Sequence, residues 1–311
     1  MRAPPASLRA DLALVAVAAV WGLTFTAVQR ALAEAAPLSF LAARFSLAAV
    51  ALAVTFRGRA LRVSPATLKS AAFLSVWLTA GYALQTFGLV YTTASKSAFI
   101  TGLYVVLVPI ISFSLSRTLP RASSAVAVAL AATGLYLMTA PGAMSVNLGD
   151  ALTLGCAVAF ALHIAGAERI APHHDPVRLA FWQILFTAVI CALLMVATET
   201  PRLAITPWTA AALVVTGVFA TAVAFAVQMW AQRRTSATHV AVIFTGEPVF
   251  AAIFARLIQH EVLAAAGVAG AALILGGMLV AQLGVRGREI PEAAAEKAIN
   301  GGRRSARRSD P

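Results

Sequence analysis

Runs of eighteen or more apolar residues recur along almost the whole chain. An α-helix rises about 1.5 Å per residue, so a run of twenty spans roughly 30 Å, the thickness of a bilayer's hydrocarbon core. Hydrophobic residues make up 60% of the 311 positions and charged residues only 12%. Soluble domains of this size do not have such a composition. The sequence therefore predicts an all-α polytopic membrane protein.

The positions of the apolar runs predict ten transmembrane helices. The predicted spans are residues 11–29, 37–56, 68–91, 94–116, 122–140, 148–167, 177–197, 208–230, 237–256 and 262–284. The first run follows basic residues and precedes Ala31-Leu32-Ala33, which resembles a signal-peptide cleavage site. Its apolar stretch is long for a signal peptide, so we interpret it as a retained helix.

Basic residues are distributed unevenly between the predicted loops. With the N-terminus in the cytoplasm, the outer side has only Arg30, Lys96, Arg202 and Arg256 among its lysines and arginines. This asymmetry predicts a bacterial-type cytoplasmic (inner) membrane protein with both termini cytoplasmic. Residues 1–10 are then a cytoplasmic N-terminus, and residues 285–311 a disordered basic cytoplasmic tail. The net charge of +12 needs no nucleic-acid partner to explain it.

A weak internal repeat divides the chain into two halves. A shift of 139 residues matches Asp11 with Asp150, Trp21-Gly22 with Phe160-Ala161, Arg30 with Arg169 and Pro37 with Pro176. A shift of 143 matches Gln85 with Gln228 and Thr92-Thr93-Ala94-Ser95 with Thr235-Ser236-Ala237-Thr238. Five helices is an odd number, so the second repeat (148–284) enters the membrane inverted relative to the first (11–140). Inverted repeats are typical of secondary transporters, with the site near the midplane.

Glu247, followed by Pro248, lies near the middle of the ninth span. An ionised acid at that depth costs about 2.5–3.5 kcal/mol, so it is expected to face protein or water. Proline removes a backbone donor, which is tolerated where a segment lines a cavity. Tyr104, which matches Glu247 at the 143 shift, lies equally deep in the fourth span. Glu247 is predicted to bind substrate or a proton; a protonated acid in a kinked packing helix is the alternative.

Other polar residues lie at compatible depths. Arg44 is predicted either to pair with Glu247 or an anionic substrate, or to bond backbone carbonyls as a structural arginine. Tyr82 and Gln85 share one helix face with Thr79 nearby. These residues and Gln228, the match of Gln85, are predicted either to line a cavity or to hydrogen-bond between helices.

Several further residues each have a functional and a structural interpretation. Trp21 either walls the cavity or packs, and Ala18, Gly22 and Thr26 predict close helix packing. His163 either relays protons or is simply hydrogen-bonded. Lys96 is expected to extend towards the outer surface with no further role. His173, His174 and Asp175 precede Pro176 in a short loop, where we favour a loop cap over a metal site.

No feature of the sequence predicts an enzyme. Cys156 and Cys191 lie inside apolar runs and indicate neither a disulfide nor a metal site. No hydrolytic triad, phosphate-binding loop or HExxH motif occurs, and the loops are too short for an ATPase domain. We therefore predict no cofactor and no metal, with an intramembrane scaffold or enzyme as the less favoured alternative.

Short motifs place the chain near a known family. They are Trp21-Gly22, Arg44-Phe45, residues 93–101 (TASKSAFIT) with Pro109, Thr235-Ser236-Ala237-Thr238 and Glu247-Pro248-Val249-Phe250. With these motifs, residues 10–284 resemble the EamA-like ten-helix permeases of the drug/metabolite transporter superfamily. Glu261 fits the acidic residue that members have after the ninth helix, whereas Phe160-Ala161 stands where they usually have Trp-Ala.

The resemblance implies a secondary carrier that exports amino acids, metabolites or toxic compounds, commonly against protons. We expect a proton-coupled exporter of a small molecule, held near Arg44, Tyr82, Tyr104 and Glu247. An importer or exchanger of a nucleotide- or vitamin-like compound is the alternative. The expected partners are the substrate, protons and lipid, and the oligomeric state is left open.

Overall fold

The chain is helical in a computed structural model that describes residues 6–62, 64–116, 122–138, 147–259, 265–270, 272–277 and 280. Over these residues, the only extended pairing is an isolated bridge between Ala35 and Leu203. The α-helices are α1 (Ala6–Ala31), α2 (Pro37–Phe56), α3 (Gly58–Leu61), α4 (Pro65–Tyr91), α5 (Ala94–Gly102), α6 (Tyr104–Ser116), α7 (Ala122–Met138), α8 (Leu148–Ile170), α9 (Pro176–Thr198), α10 (Pro207–Val214), α11 (Ala224–Gln232), α12 (Ala237–Phe244) and α13 (Gly246–Gln259). A 3₁₀ turn covers Ala171–His173, and a π-helix covers Val215–Val223.

Ten apolar helical segments cross the fold, as the sequence predicts. Eight are long and apolar enough to span a membrane: Leu8–Ala31, Pro37–Phe56, Pro65–Tyr91, Lys96–Ser114, Leu148–His173, Pro176–Thr198, Pro207–Gln232 and Ala237–Phe254. Two shorter ones are Ala122–Gly134 and Ala265–Gly277. The predicted fold class, ten helices in two inverted five-helix repeats, is confirmed. Glu261 and the predicted tail lie outside the described residues.

The first helices of the two repeats run in opposite directions. Near the end of α1, Gln29 donates to the Thr92 carbonyl, and the Thr92 hydroxyl donates to Asp150 at the start of α8. We call this side the Asp150 face; it also contains residues 32–36 and 199–206, joined where Ala36 N–H donates to the Arg202 carbonyl. The opposite side, the Asp11 face, contains the start of α1, the end of α8 and residues 57–62, 64, 171–175 and 233–236.

The fourth and ninth spans are each broken near their middle. The breaks fall at Leu103, between α5 and α6, and at Thr245, between α12 and α13. Each of the predicted spans 94–116 and 237–256 therefore consists of two helices with a one-residue turn between them. In the ninth span the break has a local cause: Pro248 has no N–H to donate to the Phe244 carbonyl, and proline is tolerated in the first turn of a helix. In the fourth span α5 ends at Gly102, a residue that disfavours helix continuation.

Residues at the loop before α9 act as a cap, as predicted. Asp175 accepts hydrogen bonds from the Val177 and Arg178 N–H groups, and its carboxylate lies 2.7 Å from Arg59 Nη2. Partial burial acts to raise the pKa of Asp175, but the hydrogen bonds from Arg59 and Arg178 lower it below its ordinary value. His174 forms hydrogen bonds with Thr67 and Ser70 on α4. Among the described residues, no group of three or more His, Cys, Asp or Glu could hold a metal ion.

Helices α1 and α13 approach closely where Gly22 has no side chain. A Cβ at this position would lie 2.7 Å from both the Ala251 nitrogen and the Glu247 carbonyl oxygen. The close contact predicted for Gly22 is therefore confirmed, and it brings the backbone of Glu247 against the first helix.

Candidate substrate and proton site

A small cavity of about 30 Å³ lies in the middle of the fold. Trp21, about halfway along α1, is on its wall, which places the cavity near the membrane midplane. The structure brings seven of the eight predicted site residues to this cavity: Trp21, Tyr82, Gln85, Tyr104, His163, Gln228 and Glu247. They come from both repeats.

Glu247 and Tyr104 occupy equivalent places just after the two helix breaks. Glu247 lies in the first turn of α13 and is only 6% exposed. The free N–H groups and dipole of a helix N-terminus favour a carboxylate there. Tyr104 is the first residue of α6, and its buried hydroxyl has no hydrogen-bond partner in the described chain. Each break therefore places a polar side chain on the cavity wall.

Arg44 lies behind this wall rather than on it. Its Nε donates to the Thr221 hydroxyl at 2.9 Å, and its guanidinium lies over the Tyr82 ring, 4.4 Å from the centroid. Among the described residues it forms no ion pair with Glu247, and its Nη2 has no hydrogen-bond partner. Neither Glu247 nor a backbone carbonyl pairs with Arg44 in the described part of the chain, and its pairing with an anionic substrate stays a prediction. Tyr82 instead separates the charge from the cavity and binds it by a cation–π contact.

The partner of Arg44 belongs to the π-helix Val215–Val223, which sequence reasoning missed. In this stretch the Thr221 hydroxyl donates to the Thr216 carbonyl, and the Ala220 carbonyl accepts from Trp21 Nε1 at 2.7 Å. π-Turns shift the backbone bonding pattern and often occur at functional sites. The detectable signal is Thr216, Gly217 and Thr221 inside an otherwise apolar span.

His163 and the two glutamines are largely occupied by hydrogen bonds. His163 Nε2 lies 2.9 Å from Gln183 Oε1, which fits the hydrogen-bonded interpretation of this histidine. Gln85 donates to Thr101 at 3.3 Å, and Gln228 donates to Gln232 at 3.0 Å. Gln228 Oε1 has no partner among the described residues, so it can accept a bond from a solute.

Aromatic rings form most of the remaining wall. Trp21 contacts Phe244 at 4.7 Å between centroids and Phe225 at 5.8 Å, so it both packs and walls the cavity. Tyr82 meets Phe160 edge-on at 5.1 Å. Tilted and edge-on contacts of this kind are favourable and fix the ring positions. The wall therefore combines these aromatic rings with the polar groups of Glu247, Tyr104 and Gln228.

Two acid–base pairs lie beyond the cavity, one buried and one partly buried, and the sequence did not identify them. Asp11 Oδ1 lies 2.8 Å from His239 Nε2, and Asp150 Oδ2 lies 2.6 Å from Lys96 Nζ. Lys96 therefore has an acidic partner, in contrast to the predicted surface-directed side chain. The sequence does contain a signal for the two acids, because Asp11 and Asp150 occupy matching positions of the internal repeat.

The model of the EamA-like transporter family matches residues 8–140 and 147–282. The chain belongs to this family. It is therefore a multi-pass membrane protein of the transporter class, within the drug/metabolite transporter superfamily. The two matched segments correspond to the two halves of the fold.

Two curated relatives and one solved structure are similar to the chain. An uncharacterized transporter of Archaeoglobus fulgidus is 36% identical over 278 residues, covering 89% of this chain and 87% of the relative. The uncharacterized transporter YoaV of Bacillus subtilis is 22% identical, covering 86% and 95%. A protein of known crystal structure matches with a TM-score of 0.73 at 16% identity, over 91% of this chain and 99% of that one. The last likeness concerns the fold alone.

Proposed function

We propose that this protein is a proton-coupled secondary transporter that exports a small metabolite, amino acid or drug-like compound by alternating access. The coupling group is Glu247. The membrane is a bacterial-type cytoplasmic membrane, with the Asp11 face and both termini towards the cytoplasm, in keeping with the basic residues of the loops.

One observation carries the proposal: a buried carboxylate on the wall of a midplane cavity, at the start of a broken helix. A group at this depth is reached from either face when the corresponding end of the protein opens. It can therefore take a proton on one side and release it on the other. Intramembrane acids at helix breaks are typical of ion and proton pathways.

The cost of burying the charge supplies the coupling. An ionised Glu247 in a closed, empty cavity has lost water without gaining an ion-pair partner among the described residues, which is unfavourable. A proton removes the charge, and a bound substrate that donates to the carboxylate offsets it. The protein can then change from one open face to the other when Glu247 is protonated or when substrate is bound. It cannot do so when Glu247 is ionised and no substrate is bound. Tyr104 and Gln228, with a free hydroxyl and a free amide oxygen, complete the polar contacts.

The substrate and direction are found by growth of an overexpressing strain on a panel of amino acids, toxic analogues and inhibitors. Export predicts resistance to the transported toxic compound, whereas import predicts greater sensitivity. The compound found in this way is then used for counterflow in proteoliposomes, where an intramembrane scaffold or enzyme would move nothing.

The coupling role is tested with Glu247→Gln, which keeps shape and hydrogen bonding but cannot titrate. We expect loss of pH-gradient-driven accumulation, with exchange between equal substrate pools partly retained. Glu247→Asp should keep some driven transport, with an altered pH optimum. Tyr104→Phe, at the equivalent position of the other repeat, is the control for coupling: it removes a proposed substrate contact but no titrating acid, so transport should be slower and remain driven by the gradient. Driven accumulation at the parental level by well-folded Glu247→Gln protein would contradict the proposal.

A further inference from the structure

The two acid–base pairs are related by the internal repeat. Asp11 corresponds to Asp150 at the 139 shift, and Lys96 corresponds to His239 at the 143 shift. In each pair, an acid on the first helix of one repeat binds a base on the fourth span of the other. A chance contact between one acid and one base would not reappear at the equivalent positions of the other repeat.

The pairs lie at opposite faces of the molecule. Asp11 is near the start of α1, whereas Gln29, near the end of α1, contacts Thr92, which itself bonds Asp150. Residues 11 and 29 of a continuous helix are about 27 Å apart along its axis. Trp21 on the cavity wall lies between them, so the cavity has one acid–base pair on each side.

The paired helices are also the ones that line the cavity. Trp21 and Phe244 come from α1 and α12, which the Asp11–His239 pair joins. Phe160 and His163 come from α8, which the Asp150–Lys96 pair joins to α5. Opening the cavity towards either face requires the helices at that face to separate.

Both pairs are shielded from solvent. The side chains of Asp11 and His239 are each 3% exposed, and those of Asp150 and Lys96 are 6% and 18% exposed. Charge-assisted hydrogen bonds are stronger where water is excluded, and parting them leaves charged groups unpaired. Thr92 also donates to Asp150, which strengthens that closure.

We propose that Asp11–His239 and Asp150–Lys96 are the two gate latches of this transporter, each holding the cavity closed at its own face. The inference rests on the proposed alternating-access transport and assigns four positioning residues to it. Because the latches are mirrored, weakening one shifts the protein towards opening at that face only. Substrate export needs both to open in turn.

The test uses a reporter cysteine in the cavity, Thr24→Cys, in a protein whose buried native cysteines are replaced (Cys156→Ala and Cys191→Ala). A membrane-impermeant maleimide is applied from one face at a time, in right-side-out and inside-out vesicles. His239→Gln and Lys96→Gln are compared, and each is the matched control of the other. The bases are changed because Asp150 also completes the capping box of α8 with Asn147.

We expect opposite results from the two variants. His239→Gln should raise the labelling rate from the Asp11 face on the order of tenfold, as expected for loss of one hydrogen bond to a charged group. Lys96→Gln should raise labelling from the Asp150 face by a similar factor. Neither should raise labelling from the other face. A purely structural role predicts lower folded yield with labelling that rises equally from both faces or does not change.

The result overturns the proposal if both variants open the same face, if both faces open equally, or if neither rate changes. Where a Gln variant gives no monodisperse protein, Asp11→Asn and Asp150→Asn replace it, with smaller changes expected in the same directions. The labelling needs neither substrate nor a proton gradient. Its outcome is therefore separate from that of Glu247→Gln, which tests the coupling.

Discussion

The two five-helix repeats have the same backbone plan but different polar side chains at the membrane midplane. Thr93 and Ser236 cap α5 and α12 in the same way, each accepting from the N–H three residues on. Both fourth spans then break after one short helix. The shared features are those that shape and close a pathway through an inverted pair.

The two repeats differ at positions where binding of substrate or a proton is expected. Tyr104 in one repeat corresponds to Glu247 in the other, and Arg44 corresponds to Gln183 at the 139 shift. The third helix of the first repeat, α4, is regular, whereas its equivalent contains the π-helix that bonds Arg44 and Trp21. Backbone symmetry thus provides two faces, while side-chain asymmetry places an acid, Glu247, in one repeat and a cation, Arg44, in the other.

Arg44 and Gln183 are the equivalent positions where we expect substitutions to differ most in their effects on transport and stability. Arg44→Met removes a buried cation that has few partners, so we expect folded yield to be kept while transport falls by about 10²-fold or more. Gln183→Met removes the hydrogen-bond partner of His163. We expect it to lower the free energy of unfolding by roughly 1–3 kcal/mol and to retain most of the transport. Counterflow rates and thermal unfolding of the two purified variants measure this. Equal transport by Arg44→Met and the parent would mean that Arg44 is only structural.

A smaller effect is expected where the repeats differ in helix packing. Gly22→Ala adds a Cβ against the backbone of Ala251 and Glu247. We therefore expect α13 to be displaced and the free energy of unfolding to fall by roughly 1–3 kcal/mol. Ala161→Gly, at the equivalent place in α8, removes only a methyl group from a helix and should cost about 0.5–1 kcal/mol. Thermal unfolding midpoints in detergent compare them. A larger loss for Ala161→Gly would show that the close α1–α13 contact is not what requires glycine.

The smallest effect is expected at the equivalent caps, where the repeats should behave alike. Thr93→Ala and Ser236→Ala each remove one capping oxygen, at a cost of about 1 kcal/mol. The same unfolding measurement should give similar losses for both. A clearly larger loss of stability in one variant would indicate that the other short helix is stabilised by additional contacts. The two repeats would then share their fold but not the energies of their caps.

Much of the architecture follows from local sequence. The second span was predicted as 37–56 and is observed as Pro37–Phe56, because proline favours the first turn and the apolar run matches the bilayer thickness. The cap at Asp175 was also predictable, since a short acid before Pro176 meets free N–H groups. The inverted arrangement follows from an odd number of helices per repeat.

The polar partners could not be read from the sequence, because they are distant in the chain. Arg44 bonds Thr221, and Asp11 bonds His239, and which side chains meet depends on how helices rotate and pack. Hydropathy reports depth in the membrane but not the direction in which a side chain points. The π-helix likewise could not be read locally, because it bonds Arg44 and Trp21 on other helices. The sequence by itself determined the number and inversion of the spans, since bilayer thickness sets the length of a span and an odd number of helices per repeat inverts the second repeat. Only the tertiary structure decided that Glu247 faces the cavity without Arg44 and that one acid–base pair lies at each face.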